Sequence, residues 1–163
     1  MTFWDILSVS LYGIIIYPII QLILTGHPFY ILLIAGLIIT DLTTRFLKWI
    51  NRTSNAAFLK RPVDASNCDI MCKNGNQGNA IGMPSGHMAF VLFFVTFMYV
   101  IQMHILSSTV HKTLFVLIAI VYSFLMGYDR IRRKCHTLLQ VLAGSGLGAI
   151  IGVSLALIFK SKL

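Results

Sequence analysis

Long apolar stretches constrain the fold of this chain more than any other feature. A membrane-spanning helix needs about 20 consecutive apolar residues to cross a hydrocarbon layer of ~30 Å. The sequence is 57% hydrophobic and only 11% charged, which is far outside the range of soluble domains. Four stretches carry no charge for most of their length and a fifth is somewhat shorter: 6–24, 29–40, 88–103, 138–159 and 114–128.

The predicted fold is an all-α, polytopic membrane bundle of about five transmembrane helices in a single integral-membrane domain, 1–163. The helices are expected at about 6–24, 29–49, 85–103, 113–129 and 137–159, and a long polar loop at 50–84. Because successive loops alternate between the two ends of such a bundle, this polar loop and the loop before the last helix lie at the same membrane face. We expect the active site at that face.

The charge distribution argues against a nucleic-acid partner. The formal net charge is +8, but the basic residues lie at helix ends and not on a soluble face. Ten of the 13 Lys and Arg residues fall at the end with the polar loop, which the positive-inside rule assigns to the cytoplasm. Cations retained for substrate binding do not report orientation, so the membrane and the side of the site stay open.

The polar residues and cysteines do not form a recognisable metal motif. Cys68 and Cys72 share the polar loop and could form a disulfide in an oxidising lumen, which would leave Cys135 unpaired. A metal site needs about three protein ligands, and Asp129 is the one carboxylate near the candidate histidines. No metal and no cofactor are therefore expected.

The segment Gly82-Met83-Pro84-Ser85-Gly86-His87 places small residues and a histidine where the polar loop becomes an apolar helix. The first N–H groups of a helix lack intrahelical partners and favour anions. Gly86 allows close approach to the backbone, Ser85 can cap or donate, and His87 can titrate near neutral pH. A capped helix with an incidental histidine is the plainer interpretation of this segment alone.

Other basic residues are predicted at the same face. Arginine side chains and helix starts match phosphate oxygens, and few carboxylates are nearby, so a phosphate site is expected. Two histidines allow one to attack phosphorus while the other protonates the departing oxygen. The residues expected at this face are Lys48, Arg61, Ser85, Gly86, His87, Arg130 and His136.

These segments resemble the type 2 phosphatidic acid phosphatases, the lipid phosphate phosphatase superfamily that includes vanadium haloperoxidases. The family signature has a Lys six residues ahead of Arg-Pro, then Pro-Ser-Gly-His, then Ser-Arg, five residues, His, three residues and Asp. The second part is intact, and the third reads Asp129-Arg130, five residues, His136, three residues and Gln140. The first part keeps Arg61-Pro62 but has Ser54 at the lysine position.

The resemblance implies a metal-independent lipid phosphate phosphatase that works through a phosphohistidine. It implies that His136 is the nucleophile, oriented by Gln140, and that His87 is the general acid. The implied phosphate ligands are Lys48, Arg61, Ser85, Gly86 and Arg130, with Arg52 as the second choice for the lysine role.

The resemblance also indicates a substrate class. This chain resembles polyprenyl diphosphate phosphatases such as the dolichyl type, which often have Gln at the position of Gln140. A diphosphate has a better leaving group than a phosphate monoester, so a less activated nucleophile can suffice. A lipid phosphate or polyprenyl diphosphate in the bilayer is the expected substrate.

Two other functions remain open from the sequence. The departures at Ser54, Asp129 and Gln140 favour, as the alternative, a catalytically inactive relative that binds phospholipid or serves as a structural membrane protein. A small transporter is disfavoured because helices one, three and four have no charges at their centres. The small-residue face of Gly144, Gly148 and Gly152 suits close helix packing and could also pair two copies of the chain.

Overall fold

The computed structural model describes residues 2–105 and 108–160, and these residues form a helical bundle without strands. The helices are α1 Phe3–Val9, α2 Leu11–Thr25, α3 Pro28–Ile50, α4 Gly86–Ile105, α5 Thr109–Arg132 and α6 Leu138–Lys160. A short 3₁₀ helix, Ala57–Leu59, interrupts the polar loop. The expected all-α fold is confirmed.

Within 2–105 and 108–160, four segments are long and apolar enough to cross a membrane: Phe3–Thr25, Pro28–Ile50, Thr109–Arg132 and Leu138–Lys160. The fifth predicted span, 85–103, corresponds to a shorter apolar segment of α4, Gly86–Ile101. Their outer surfaces carry many exposed large apolar side chains, with Phe124 70% exposed, for example. In water such a surface would be unfavourable, whereas in a bilayer it contacts lipid. The structure is therefore that of a helical membrane protein.

The predicted first helix is divided into α1 and α2 at Ser10. The Ser10 hydroxyl donates to the Leu7 carbonyl at 2.6 Å and lies 2.9 Å from the Tyr122 hydroxyl of α5. Such local side-chain bonds compete with the helical ladder. Because of this break, α1 packs against the end of α5 that carries Arg130.

A tight turn joins α2 to α3. Gly26 ends α2 in the left-handed conformation (φ 63°), which glycine adopts without steric cost. His27 caps α3 by accepting a hydrogen bond from the Phe29 N–H at 3.2 Å, and Pro28 occupies the first helical position.

The central pair of helices is α4 and α6, which approach along the glycine face of α6. A Cβ at Gly144 would lie 2.3 Å from the main-chain carbonyl oxygen of Ser85, and one at Gly148 would lie 2.1 Å from that of Ala89. The third glycine, Gly152, is equally close to the backbone of α4. The face proposed for pairing two copies is thus covered by α4 within one chain, and its close contact sets the start of α4 against α6.

The polar loop is fastened at several points. Isolated β-bridges join Lys60 to Ile81 and Ser66 to Asn76. A disulfide joins Cys68 to Cys135, with Cα atoms 5.4 Å apart, and Cys72 is free. The Cys68–Cys72 pairing considered from sequence is wrong, because it weighed only proximity along the chain and could not see that the loop folds onto the α5–α6 connection.

Candidate active site

The site forms where the polar loop, the start of α4 and the α5–α6 connection meet. The Ser85 N–H donates to the Gln140 carbonyl at 3.0 Å, and the main-chain carbonyl of Ser85 accepts from the Ala89 N–H at 3.0 Å. The start of α4 is thereby tied to the first turn of α6. This contact requires the close approach at Gly144 described above.

The start of α4 has the features of an anion site. Ser85 is completely buried, and among the described residues its hydroxyl has no hydrogen-bond partner. A Cβ added at Gly86 would meet no atom within 4 Å. A buried hydroxyl without a partner is costly, which is expected where a ligand supplies the missing bond.

His136 lies in the α5–α6 connection, and its ring is oriented by Gln140. The His136 Nδ1 is 3.1 Å from the Gln140 Oε1, an oxygen that also accepts from the Thr137 N–H at 3.3 Å. Because an amide oxygen can only accept, Nδ1 carries the hydrogen and Nε2 keeps its lone pair. That tautomer is the one that a nucleophilic Nε2 requires.

The other end of the Gln140 side chain holds the polar loop. Its Nε2 donates to the carbonyl oxygens of Phe58 and Lys60, at 3.1 and 2.8 Å. An aspartate or glutamate has no hydrogen to donate to these carbonyls when ionised. The structure thus gives a physical reason for an amide at this position, one that its sequence pattern alone did not suggest.

His87 opens α4 and lies beside Arg130. The Arg130 Nη1 is 3.1 Å from the His87 Nε2, and the Ser8 hydroxyl of α1 is 3.5 Å from the same nitrogen. A guanidinium can only donate, so His87 Nε2 is an acceptor here and the ring is neutral. For His87 to act as an acid, Arg130 must first leave this nitrogen and His87 must gain a proton.

Arg130 connects the two histidines. Its side chain is completely buried and contacts His87, while its main-chain carbonyl accepts from the N–H groups of Cys135 (3.0 Å) and His136 (3.2 Å). The histidines therefore lie at the same end of the bundle, as the sequence predicted.

Two further cations, Arg61 and Lys48, were predicted at this face, and the charges of both act on His136. Arg61 donates to the Gln77 side chain, and its buried Nε has no partner among the described residues. Burial and the neighbouring Arg130 lower the pKa of Arg61. A Cβ at Gly82 would lie 2.5 Å from the Gln140 Oε1 and 2.7 Å from the Arg61 Cγ, so a larger residue there would displace these side chains.

Electrostatics separate the two candidates for the lysine role. Burial, followed by the charges of Arg61, Lys48 and Arg130, lowers the pKa of His136 to about 3. The His136 ring is therefore neutral throughout the physiological pH range. The charge of Lys48 contributes to the lowered pKa of His136. Arg52, in contrast, is exposed and stacks over Trp49, with its guanidinium carbon 5.1 Å from the ring centroid, so Lys48 is the better candidate for the lysine role.

Sequence reasoning missed an ion-pair network beside Arg130. Asp129 is completely buried and receives hydrogen bonds from Arg130 and Arg133. Arg133 also donates to Asp5 of α1 at 2.7 Å. Asp129 and Arg133 are four apart on one helix and were visible as a possible pair, but the contact with Asp5 spans 128 residues and left no local signal.

The prediction of a metal-free site stays a prediction. Within 2–105 and 108–160, no group of three or more His, Cys, Asp or Glu side chains converges as metal ligands would.

The comparisons with known proteins assign the chain to a family. No curated protein and no solved structure gave a significant match. The family model described as the PAP2 superfamily matches residues 29–162, which is most of the chain and includes α3 to α6 with the polar loop. The histidine pair and its arginines lie within that match, and the chain belongs to the PAP2 superfamily, that of the type 2 phosphatidic acid phosphatases.

Proposed function

We propose that this protein hydrolyses a lipid phosphate or polyprenyl diphosphate without a metal ion, through a phosphohistidine on His136. The superfamily is generally one of phosphatases. The observation that carries the proposal is the position of Arg130, which contacts His87 with its side chain and the His136 backbone with its carbonyl. Two polar atoms nearby, the Ser85 hydroxyl and the Arg61 Nε, are buried without partners and suit phosphate oxygens.

In the first step of the proposed reaction, the His136 Nε2 attacks phosphorus and the bond from phosphorus to the leaving oxygen breaks. His87 gives that oxygen a proton. In the second step, water attacks the phosphohistidine while His87 takes a proton from the water, and the phosphorus–nitrogen bond breaks. Inorganic phosphate leaves, and His136 returns to its neutral form.

The phosphate itself provides the change that His87 requires. Arg130 lies 3.1 Å from His87 in the ligand-free protein. A phosphate dianion is a better acceptor for a guanidinium than a neutral imidazole. Binding of substrate would therefore replace the hydrogen bond from Arg130 Nη1 to His87 by one from Nη1 to the phosphate, and so free the His87 Nε2 for a proton.

An apolar groove supports a lipid as the substrate. It has a volume of about 370 Å³, opens on the outer surface of the bundle, and lies between α4, α5 and α6. Its lining includes Met88, Leu138 and Val141, which directly follow or lie within two residues of His87, His136 and Gln140. An apolar chain in this groove would remain in the bilayer while its phosphate lies at the helix ends.

The orienting residue supports a diphosphate over a monoester. Gln140 orients His136 but supplies no negative charge to stabilise an imidazolium as the new bond forms. The group that leaves from a lipid diphosphate is the lipid monophosphate, which needs less assistance than an alkoxide. The proposed preference is therefore for a polyprenyl or other lipid diphosphate.

The test is phosphate release by the purified full-length protein, in detergent and in vesicles, without added metal. Phosphatidate, a sphingoid phosphate and a polyprenyl diphosphate would be compared. His136→Ala and His87→Ala should abolish release, and His111→Ala, which alters an exposed histidine in the first turn of α5, should not. Gly86→Ala should fold normally but lose activity, because its methyl group would occupy space proposed for the phosphoryl group.

Activity retained by His136→Ala would refute the phosphohistidine. An inactive wild-type protein that nevertheless binds lipid headgroups saturably would instead support the alternative of a non-catalytic phospholipid-binding relative.

A further inference from the structure

Asp129 lies where the superfamily signature has a serine, and its carboxylate is completely buried. A carboxylate in such a place needs strong partners to offset its desolvation. It has two: Arg130 donates its Nε at 3.1 Å and also its Nη2 to Oδ2, and Arg133 donates its Nε to Oδ1 at 2.8 Å. Both oxygens are thus used within the protein.

This arrangement fixes the orientation of Arg130. Two of the three guanidinium nitrogens are bound to the Asp129 Oδ2, and the third, Nη1, is the one beside His87. A planar guanidinium held along one edge cannot rotate without breaking both bonds. Asp129 therefore determines which edge of Arg130 is presented to the His87 side of the site.

The network continues to the first helix. The Arg133 Nη2 donates to Asp5 Oδ1 at 2.7 Å, and Asp5 Oδ2 accepts from the Thr2 N–H at 2.8 Å in the capping box of α1. Asp5 lies outside the family match, which begins at residue 29. The contact between Asp5 and Arg133 therefore joins a residue outside the matched region to one inside it.

We propose that Asp129 is a positioning residue for the reaction and that Asp5 supports it through Arg133. This inference rests on the proposed function for its catalytic consequence. The residues act on Arg130, and through Arg130 on the transferring phosphoryl group and the protonation of His87. Neither carboxylate contacts the substrate.

The test compares Asp129→Ser, Asp5→Asn and the double variant with wild type. Asp64→Asn is the matched control, since Asp64 forms a 2.7 Å ion pair with Lys134 that is exposed and separate from Arg130. Two quantities are measured for each protein: the stoichiometry and affinity for inorganic orthovanadate, a phosphoryl analogue, and kcat per vanadate-binding site. Normalising to binding sites separates mispositioning from a loss of folded protein.

We expect Asp129→Ser to keep one vanadate site per chain while kcat per site falls about 100-fold, the effect of a small misplacement of a reacting group. Vanadate affinity should fall about tenfold, as for one hydrogen bond to a charged group. Asp5→Asn should lower kcat per site about tenfold in the wild-type background and not at all in the Asp129→Ser background, because residues in one network are not additive. Asp64→Asn should match wild type.

Several outcomes would overturn the proposal. Activity of Asp129→Ser that falls only in parallel with vanadate stoichiometry would show a purely structural role. A kcat per site of Asp129→Ser within twofold of wild type would show that Asp129 has no role in the reaction. An Asp5→Asn effect of equal size in both backgrounds would refute the link through Arg133.

Failure of the proposed function is distinguishable from these results. A wild-type protein that binds vanadate but releases no phosphate would refute hydrolysis, and the Asp129 proposal would then be judged on vanadate affinity alone. Weaker binding by Asp129→Ser than by Asp64→Asn would support the positioning of Arg130, and equal binding would overturn it. A wild-type protein that neither binds vanadate nor turns over would overturn both.

Discussion

Replacement of Gln140 by Glu tests why this chain has an amide where the family signature has an aspartate. If Gln140 were only a weaker version of that aspartate, a carboxylate should strengthen the support for His136 and raise activity. The structure predicts the opposite. The Gln140 Nε2 donates to the carbonyls of Phe58 and Lys60, and a glutamate would present a bare oxygen to both.

The magnitude follows from the two lost hydrogen bonds. Leaving a buried acceptor unsatisfied costs about 1–3 kcal/mol, so the pair costs about 2–6 kcal/mol before any repulsion between the carboxylate and the carbonyl oxygens. The new carboxylate could stabilise the His136 imidazolium by a few kcal/mol. This gain would be offset, because loss of the hydrogen bonds to Phe58 and Lys60 also releases the loop that carries Arg61. Gln140→Glu is therefore expected to be less stable and less active than wild type.

The assay is thermal unfolding in detergent together with phosphate release by the wild-type, Gln140→Glu and Gln140→Ala proteins. Gln140→Ala loses the hydrogen bonds to the loop and the orientation of His136 but adds no charge. It therefore separates the effect of the lost hydrogen bonds from the effect of the added charge. A Gln140→Glu protein as stable as wild type and more active would refute the reasoning, since it would show that the two carbonyls do not need their donor.

Other predictions follow from the same geometry. Gly144→Ala should lower both stability and phosphate release, because its Cβ would lie 2.3 Å from the Ser85 oxygen, whereas Gly146→Ala, whose Cβ would meet no atom within 4 Å, should be neutral in both measurements. Reduction of the disulfide, or Cys135→Ser, should lower the free energy of unfolding by up to about 4 kcal/mol for a loop of this length and reduce activity, and equal activity with and without reductant would contradict this. Because disulfides persist in oxidising compartments, the end with the disulfide should face one, against the positive-inside count, and labelling of intact cells or vesicles with membrane-impermeant thiol reagents after reduction would show which side it occupies. The pKa of His136 is about 3 when folded, compared with about 6.5 when unfolded, so its stabilising contribution is complete above pH 6.5 and is lost as the pH falls towards 3, with a slope of up to about 1.4 kcal/mol per pH unit. Urea unfolding at pH 7 and pH 5 should show this loss in wild type and less of it in His136→Gln, and an equal loss in both proteins would contradict the assignment.

The basic charge at the His136 end of the bundle limits the use of the positive-inside rule. Lys48, Arg61 and Arg130 contribute to the basic count at that end, yet their charges act on the His136 site. If these cations form the proposed phosphate site, they would be present whichever way the helices insert. For this chain the disulfide is the better guide to the compartment, because it depends on redox conditions and not on insertion.

The sequence by itself determined the helical membrane fold and the family. Uninterrupted apolar runs have no stable alternative in lipid, because only a helix satisfies every backbone hydrogen bond within one segment. The sequence also predicted the motif residues Ser85, His87, Arg130 and His136. A helix start and the five residues between Arg130 and His136 are local features, which depend only on neighbours in sequence.

Tertiary structure decided the contacts between distant segments. The pairing of Cys68 with Cys135, the bonds from Gln140 to Phe58 and Lys60, and the link from Asp5 to Arg133 all join residues more than 65 positions apart. Each of these contacts depends on how the polar loop and α1 fold over the bundle. Packing of whole segments brings the groups together, and no local sequence pattern encodes that packing. Which histidine nitrogen is free, and why an amide is needed beside it, follow from those contacts.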